Sequence, residues 1–566
     1  MLFTKHRIIK ALYIMTDRSL SLSKLARLRS RLQMPPLALL ASALLFVLIF
    51  DNSTFWRIGA EVFSGRPLAF AGMIGAVYSL TLAVFSLFAL PWLVKPFSVF
   101  ILILSSVTSY YMDTLGAFID REMIQNVMVT TVTESKHLIT AGFLLHVALY
   151  GLLPSAVVLA LKLTPQRRRV ALGAPVVAGV LCALITLGLL ATDFKTYASI
   201  LRERKDFLAS YQPGAPVVNS FRYAAMMRKT LNIVVQPLGE DATKGAAYSP
   251  GHKPALTVLV VGETARAQSF GLNGYARDTT PNLSKLPIVA FESVSSCGTS
   301  TAVSLPCMFS KLPRKDYSFE AGAAQQNLLD VLAHAGLHVE WWDNNTGHKG
   351  LADRLPNRSF LGEASPTACH DGECDDGIFL PALRAYINSL TEDTVLVLHE
   401  IGSHGPSYFM RYPPEFEKFT PACHTPELKK CSAEEVTNAY DNTIAFTDQV
   451  LAETISLLDS QQDLNTAMLY LSDHGESLGE GGLYLHGAPY FIAPKEQTQV
   501  PMLLWMSDRF ATQFDHDTKC LESASSAPLS HDNLFHSVLG LMDITTEVYD
   551  RKLDLFAACP ANRRKS

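Results

Sequence analysis

Three short segments, far apart in the chain, carry the residue types that bind metals and move protons. They are Gly262-Glu263-Thr264, His399-Glu400-Ile401-Gly402-Ser403-His404-Gly405-Pro406 and Ser472-Asp473-His474-Gly475-Glu476. Each directly follows an apolar run of the buried-strand kind, at 256–261, 394–398 and 467–471. A fourth, Tyr484-Leu485-His486-Gly487, follows the glycine-rich Gly479-Glu480-Gly481-Gly482. Carboxylates and imidazoles, completed by a hydroxyl oxygen, form an N/O donor set suited to zinc. A source for the hydroxyl is the stretch from Ser295 to Cys307, where uncharged small residues lie between Cys297 and Cys307. Ser and Thr are weak nucleophiles until their proton is removed, and zinc can lower a bound hydroxyl's pKa as it does for water. Taken alone, the stretch also fits a helix N-cap in a disulfide-clipped loop. The four clusters together favour the metal site.

These residues need a scaffold that brings distant segments to one edge. Further strands are expected at 339–342 and 501–505, and helices at 325–335, 377–390 and 433–460. Strands alternating with helices predict an α/β sandwich with a mainly parallel sheet. Ligands of such sheets bind outside the carboxyl ends of the strands, where Glu263, a histidine of the 399–406 segment, Asp473 and His474 would meet.

The 566-residue chain carries a net charge of −4, so its total charge gives no argument for nucleic acid. Residues 1–34 form a basic arm, with Lys5, Arg7, Lys10, Arg18, Lys24, Arg27, Arg29 and Arg31 against Asp17. Apolar runs follow at about 35–51, 68–94, 96–119, 138–162 and 170–192, which predicts a five-span transmembrane domain over 35–195. The basic arm, Lys95 and Arg167-Arg168-Arg169 fall on one face, so the positive-inside rule places the chain beyond 195 outside the cytoplasm. Residues 196–250 read as an amphipathic interfacial connector, and 251–566 as the outer catalytic domain.

Between the third and fourth runs, Asn126, Thr130 and Glu134 recur every four residues on one helical face. That strip fits either a solvated surface helix or a contact for a lipid head group. Of the nine cysteines, Cys182 lies in an apolar run and the other eight lie beyond residue 290. Cys297 with Cys307, Cys369 with Cys374, and Cys423 with Cys431 are neighbours in sequence, leaving Cys520 and Cys559. Disulfides in an oxidising compartment are the expectation, with zinc ligation as the rival, and spacing leaves the connectivity open.

Four motifs carry a resemblance: Val261-Gly262-Glu263-Thr264-Ala265-Arg266, Ser296-Cys297-Gly298-Thr299-Ser300-Thr301-Ala302, Ile401-Gly402-Ser403-His404-Gly405-Pro406 and Ser472-Asp473-His474-Gly475-Glu476-Ser477-Leu478-Gly479-Glu480. They resemble the bacterial lipid A phosphoethanolamine transferases, which include the mobile colistin-resistance enzymes of the alkaline-phosphatase and sulfatase-like superfamily. The resemblance implies an alkaline-phosphatase-like periplasmic domain on five helices in the inner membrane. It implies that Thr301, four residues after the disulfide Cys297, is the nucleophile, and that Glu263, Asp473, His474 and Thr301 bind zinc. A second zinc or a phosphate would lie near His404 and His486. Asn345 and Lys349 would contact substrate, as would Asn126, Thr130 and Glu134.

The implied reaction moves phosphoethanolamine from phosphatidylethanolamine to a lipid A phosphate through phospho-Thr301. Lys349, His404 or His486 would supply charge or a proton. The resemblance implies that the product would lower outer-membrane negative charge and give polymyxin resistance. Implied partners are the two lipids and the membrane, with no nucleic acid and a monomeric chain. Rival expectations are the same chemistry on another glycan or core acceptor, a phosphoglycerol transferase, or a sulfatase-type hydrolase. A transporter-like scaffold would need ionisable residues inside the apolar runs, and these runs hold almost none.

Overall fold

The computed structural model describes residues 33–561, apart from 364, 366, 367, 371 and 372. The basic arm, up to residue 32, lies outside the described residues. The chain forms two compact units: residues up to Tyr110 with Phe143–Pro216, and Tyr111–Gly142 with the chain from Val217 onward.

In the first unit the apolar runs become helices. Pro67–Phe88, Val94–Leu115, Ala141–Ala160 and Arg168–Ala191 are each long and apolar enough to cross a membrane. The first run instead forms two helices, Pro36–Phe50 and Ser53–Val62, bent by 68° at their junction. The five expected spans are thus four continuous helices and one broken pair. Asn52 accounts for the break. Its Nδ2 donates to Val47 O at 2.9 Å and to Gln212 O at 3.1 Å, and its Oδ1 accepts from Gln212 N at 2.8 Å. Non-helical backbone at such a break is tolerated where protein groups satisfy it.

The second unit is built on one eight-stranded sheet. Its strands are β1 (Ala255–Gly262), β2 (Val289–Ser295), β3 (His338–Asp343), β4 (Asn357–Ser359), β5 (Thr394–His399), β6 (Asn465–Ser472), β7 (Gln499–Met506) and β8 (Leu529–Ser530). Their order is β8-β2-β7-β6-β1-β5-β3-β4. All neighbours are parallel except β7, which runs antiparallel to β6 and to β2. Strands β1, β5 and β6 are buried along their whole length. Leu259 and Val261 feed one apolar core and Leu256, Val258 and Val260 the other, which explains the unbroken apolar run. Helix Leu328–His334 packs into the first core. Helices Phe379–Ile387 and Ala433–Asp459 pack into the second.

The cysteines beyond 290 form four disulfides: Cys297–Cys307, Cys369–Cys374, Cys423–Cys431 and Cys520–Cys559. Cys182 is free.

Candidate active site

The carboxyl ends of β1, β5 and β6 adjoin in the sheet, with Val261 level with His399 and Gly262 level with Ser472. The residues just beyond them therefore meet. Glu263, Asp473 and His474 are fully buried, and one ligand atom of each lies within 4.8 Å of the others. His474 Nε2 is 3.4 Å from Glu263 Oε1 and 3.4 Å from Asp473 Oδ2.

The tautomer follows from the far side of the ring. His474 Nδ1 is 2.9 Å from Gly475 O, which can only accept, so Nδ1 carries the proton and Nε2 presents a lone pair. Burial, then His486, holds the His474 imidazole well below its ordinary pKa. Burial also pushes the Asp473 carboxyl up to about 6, with His399 pulling it down. A bare imidazole nitrogen facing two carboxylate oxygens is the donor set of a divalent cation, and these residues fit zinc.

Thr301 is the first residue of helix Thr301–Met308, and Ser300 stands at the N-cap without a side-chain capping bond. The hydroxyl of Thr301 donates to Glu263 Oε2 at 2.9 Å and lies 3.3 Å from His474 Nε2. It faces the carboxylate cluster, so the capping alternative does not describe it.

Two backbone features support this corner. Thr264 takes a left-handed φ of 52°, and the hydroxyl of Tyr440 receives Arg266 N at 3.0 Å and donates to Thr264 O at 2.7 Å. Gly402 has φ of +51°, and a Cβ there would fall 2.6 Å from Glu263 O. Only glycine lets the loop after β5 approach this closely.

Asn345 is buried. Its Nδ2 donates to Glu263 Oε2 at 2.8 Å and Glu400 O at 2.8 Å. Its observed work is to orient Glu263. Lys349 has φ of 49°, and its ammonium donates to Thr346 O and Oγ1, each at 2.7 Å. The His404 and His486 rings are 5.3 Å apart, and the His486 and His474 rings 4.6 Å. His486 Nδ1 is 2.9 Å from Glu476 Oε2, whose Oε1 accepts from Tyr408 OH at 2.7 Å.

Asn126 lies on helix Arg121–Val129, and Thr130 is its C-cap. The Thr130 hydroxyl donates to Asn126 O at 2.8 Å. On the same helix, Gln125 Nε2 donates at 3.4 Å to the O of Ala302, the second residue of the helix that Thr301 begins. Glu134 sits in helix Val132–Leu138, and its side chain lies outside the described residues.

The sequence reading did not single out His531. Its Nε2 donates to Ser472 O at 3.0 Å and its Nδ1 accepts from Cys297 N at 3.1 Å. It thus ties the start of the Thr301 loop to the residue before Asp473. Ser304 makes a second tie, its Oγ donating to Asp473 O at 2.5 Å. A lone His far from every motif gives no local signal. Only the fold brings it here.

Comparisons with known proteins match nearly the whole chain. The sulfatase family profile matches residues 255–544, and the profile described as phosphoethanolamine transferase EptA/EptB matches residues 77–227. Phosphoethanolamine transferase EptA of Escherichia coli K12 is 39% identical over 94% of this chain and 99% of its own length. Phosphatidylethanolamine transferase Mcr-1 of Escherichia coli is 36% identical over 92% of this chain and 97% of its own. The structure of the integral membrane protein lipooligosaccharide phosphoethanolamine transferase A (EptA) from Neisseria meningitidis superposes with a TM-score of 0.89 at 37% identity. It covers 93% of this chain and 99% of the other. This chain is an integral membrane protein with N-terminal spans and a periplasmic catalytic domain. With a buried carboxylate–imidazole cluster at the ends of two adjacent parallel strands and likeness along nearly its whole length, the chain belongs to the EptA/Mcr-type phosphoethanolamine transferases of the sulfatase and alkaline phosphatase superfamily.

Proposed function

We propose that the protein transfers phosphoethanolamine from phosphatidylethanolamine to a phosphate of lipid A, with Thr301 as the covalent carrier. The observation that carries this reading is the Thr301 hydroxyl, bonded to Glu263 Oε2 at 2.9 Å and 3.3 Å from the bare Nε2 of His474. A zinc ion held by Glu263, Asp473, His474 and Thr301 would supply the positive charge that favours the Thr301 alkoxide and the developing phosphoryl charge.

This chain's residues then divide the work. Glu263, oriented by Asn345, holds the hydroxyl in place and is the immediate acceptor of its hydrogen bond. Thr301 Oγ1 attacks phosphorus, the bond to the glycerol oxygen breaks, and diacylglycerol leaves with a proton. An oxygen of the lipid A phosphate next attacks the same phosphorus, and the Thr301 oxygen leaves. Thr301 begins a helix, whose positive N-terminal end favours a negative group carried on its hydroxyl. His486, next to His474, and His404, next to His486, would donate to phosphoryl oxygens or to the leaving oxygen. Asn126, Thr130 and Glu134 are assigned to the donor head group, and Lys349 to phosphate charge. The transferred phosphoethanolamine is itself zwitterionic, its phosphodiester charge offset by its ammonium, and its bond to the lipid A phosphate removes about one negative charge there. That weakens attraction for polymyxins and other cationic peptides.

Thr301→Ala should abolish transfer while zinc content stays near that of the parent. Mass spectrometry of lipid A checks it. Added phosphoethanolamine in the variant would sink the nucleophile assignment, and a product on a core sugar would reassign the acceptor.

A further inference from the structure

Three residues outside the carboxylate cluster form a chain that ends on His404. His137, in helix Val132–Leu138, places Nε2 3.4 Å from Glu373 Oε2. Arg411 Nη1 donates to the same oxygen at 2.6 Å, and Arg411 Nε donates to His404 O at 2.9 Å. Glu373 and Arg411 are 8% and 3% exposed. A buried charge pair of this kind is weak evidence for stability. Removing one partner is nonetheless costly, because it leaves the other buried and uncompensated.

Glu373 has little freedom. It lies in the hairpin of Cys369–His370 with Glu373–Cys374, closed by the Cys369–Cys374 disulfide. From the same segment, Asp376 accepts Ile401 N at 2.9 Å and Gly402 N at 2.8 Å. Asn344 Nδ2 ties Cys374 O and Asp376 Oδ1 together, each at 2.9 Å. The hairpin segment therefore grips the loop after β5 at 401–402 and again at Arg411. His404 lies between the two grips, whereas Glu263 and Asp473 come from other strands.

We propose that Glu373 and Arg411 are positioning residues that make the placement of His404 depend on the docked 111–142 segment, with His137 as that segment's contact. The inference rests on the role given to His404 above. It adds a route from the segment that bears Asn126, Thr130 and Glu134 to a group at the phosphoryl site. A shift of helix Val132–Leu138 withdraws His137 from Glu373, loosens Arg411 and frees the His404 carbonyl. The carboxylate cluster keeps its geometry throughout.

The test uses the full-length protein in lipid–detergent micelles with phosphatidylethanolamine as donor. Glu373→Gln, which keeps the shape but loses the charge, should lower kcat by about tenfold to a hundredfold, as loss of an orienting partner does. KM for the donor and zinc content should stay within about twofold of the parent. His137→Ala should give a smaller fall in kcat, and adding it to Glu373→Gln should cost nothing further, because both interrupt one chain. Parent-like kcat in folded Glu373→Gln, or fully additive losses in the double variant, would overturn the coupling. If Glu373→Gln does not fold, His137→Ala decides alone: unchanged kcat overturns the proposal and a fall at constant KM supports it. His404→Ala separates the two layers. Its retaining full activity overturns the active-site reading itself, whereas its inactivity beside a fully active Glu373→Gln overturns only the coupling.

Discussion

The Nε2 lone pair of His474 faces carboxylate oxygens of Glu263 and Asp473 at 3.4 Å each, and bonds from neighbouring residues restrain the cluster, as Asn345 does Glu263. His531 is part of that restraint, since it bonds Cys297 N on one side and Ser472 O on the other. Burial pushes its imidazole down to about 4. The sign follows directly. The unfolded chain takes up this proton below its ordinary pKa of about 6.5, whereas the native state does not until about 4. His531 therefore leaves stability intact above about 6.5 and removes it as pH falls towards 4, by roughly 3 kcal/mol in all. His531→Gln keeps an acceptor for Cys297 N and a donor for Ser472 O but cannot ionise. Its melting temperature should fall less than the parent's between about pH 7 and about pH 4.5, while transfer near neutral pH persists. Equal acid slopes in the two proteins would refute the assignment. His531→Leu leaves both backbone groups unpaired and should cost about 1–3 kcal/mol for each, seen in the same melts.

At the scale of elements, the site depends on corners where strands end. The corner after β1 needs Thr264 at a φ of 52°, which a β-branched residue adopts only when its neighbours enforce it. Tyr440, from the N-terminal third of helix Ala433–Asp459, is one enforcer through its bonds to Arg266 N and Thr264 O. Tyr440→Phe should therefore weaken zinc binding by about tenfold or more, as loss of an outer support does. The side chain fits the same apolar pocket, but Arg266 N and Thr264 O lose their buried partner, so stability should also fall, by about 1–3 kcal/mol for each. A chelator titration beside a thermal melt separates the two effects. Unchanged metal affinity in the folded variant would count against this role.

The same corners explain what the sequence made legible. Buried parallel strands β1, β5 and β6 announce themselves by unbroken apolar runs, and the metal-capable residues follow them directly. β2 is half exposed along its length, and β4 and β8 are short edge strands, so none carries such a run. Glu476, Asp376, Tyr440 and His531 act through contacts between distant segments, and only the assembled fold brings those together. Asn345 was legible as a site residue by resemblance. Its bond to Glu263 was not.

At the scale of the whole molecule, the disulfides divide the chain unequally. All four lie beyond residue 290, whereas the apolar helices carry only Cys182, which is free. The bridged residues are separated by 10, 5, 8 and 39 positions. On the chain-entropy view each closed loop stabilises by about 2–4 kcal/mol, most for the longest. Their sum is comparable with the about 5–15 kcal/mol that separates a typical folded domain from its unfolded chain. Two of the bridges also have local work. Cys297–Cys307 spans the loop and helix that present Thr301, and Cys369–Cys374 holds Glu373. A cell unable to oxidise periplasmic thiols should therefore still insert the helices but present an outer domain open to proteolysis. Limited digestion of isolated membranes should release fragments from beyond residue 217 while the spans stay embedded, and lipid A should lack the added group. Cys520→Ser with Cys559→Ser should account for the largest share of the lost protease resistance, because that loop is the longest. The Cys369→Ser and Cys374→Ser pair should instead lower transfer with little change in digestion. A reversed ranking would mean that loop entropy is not what the long bridge contributes.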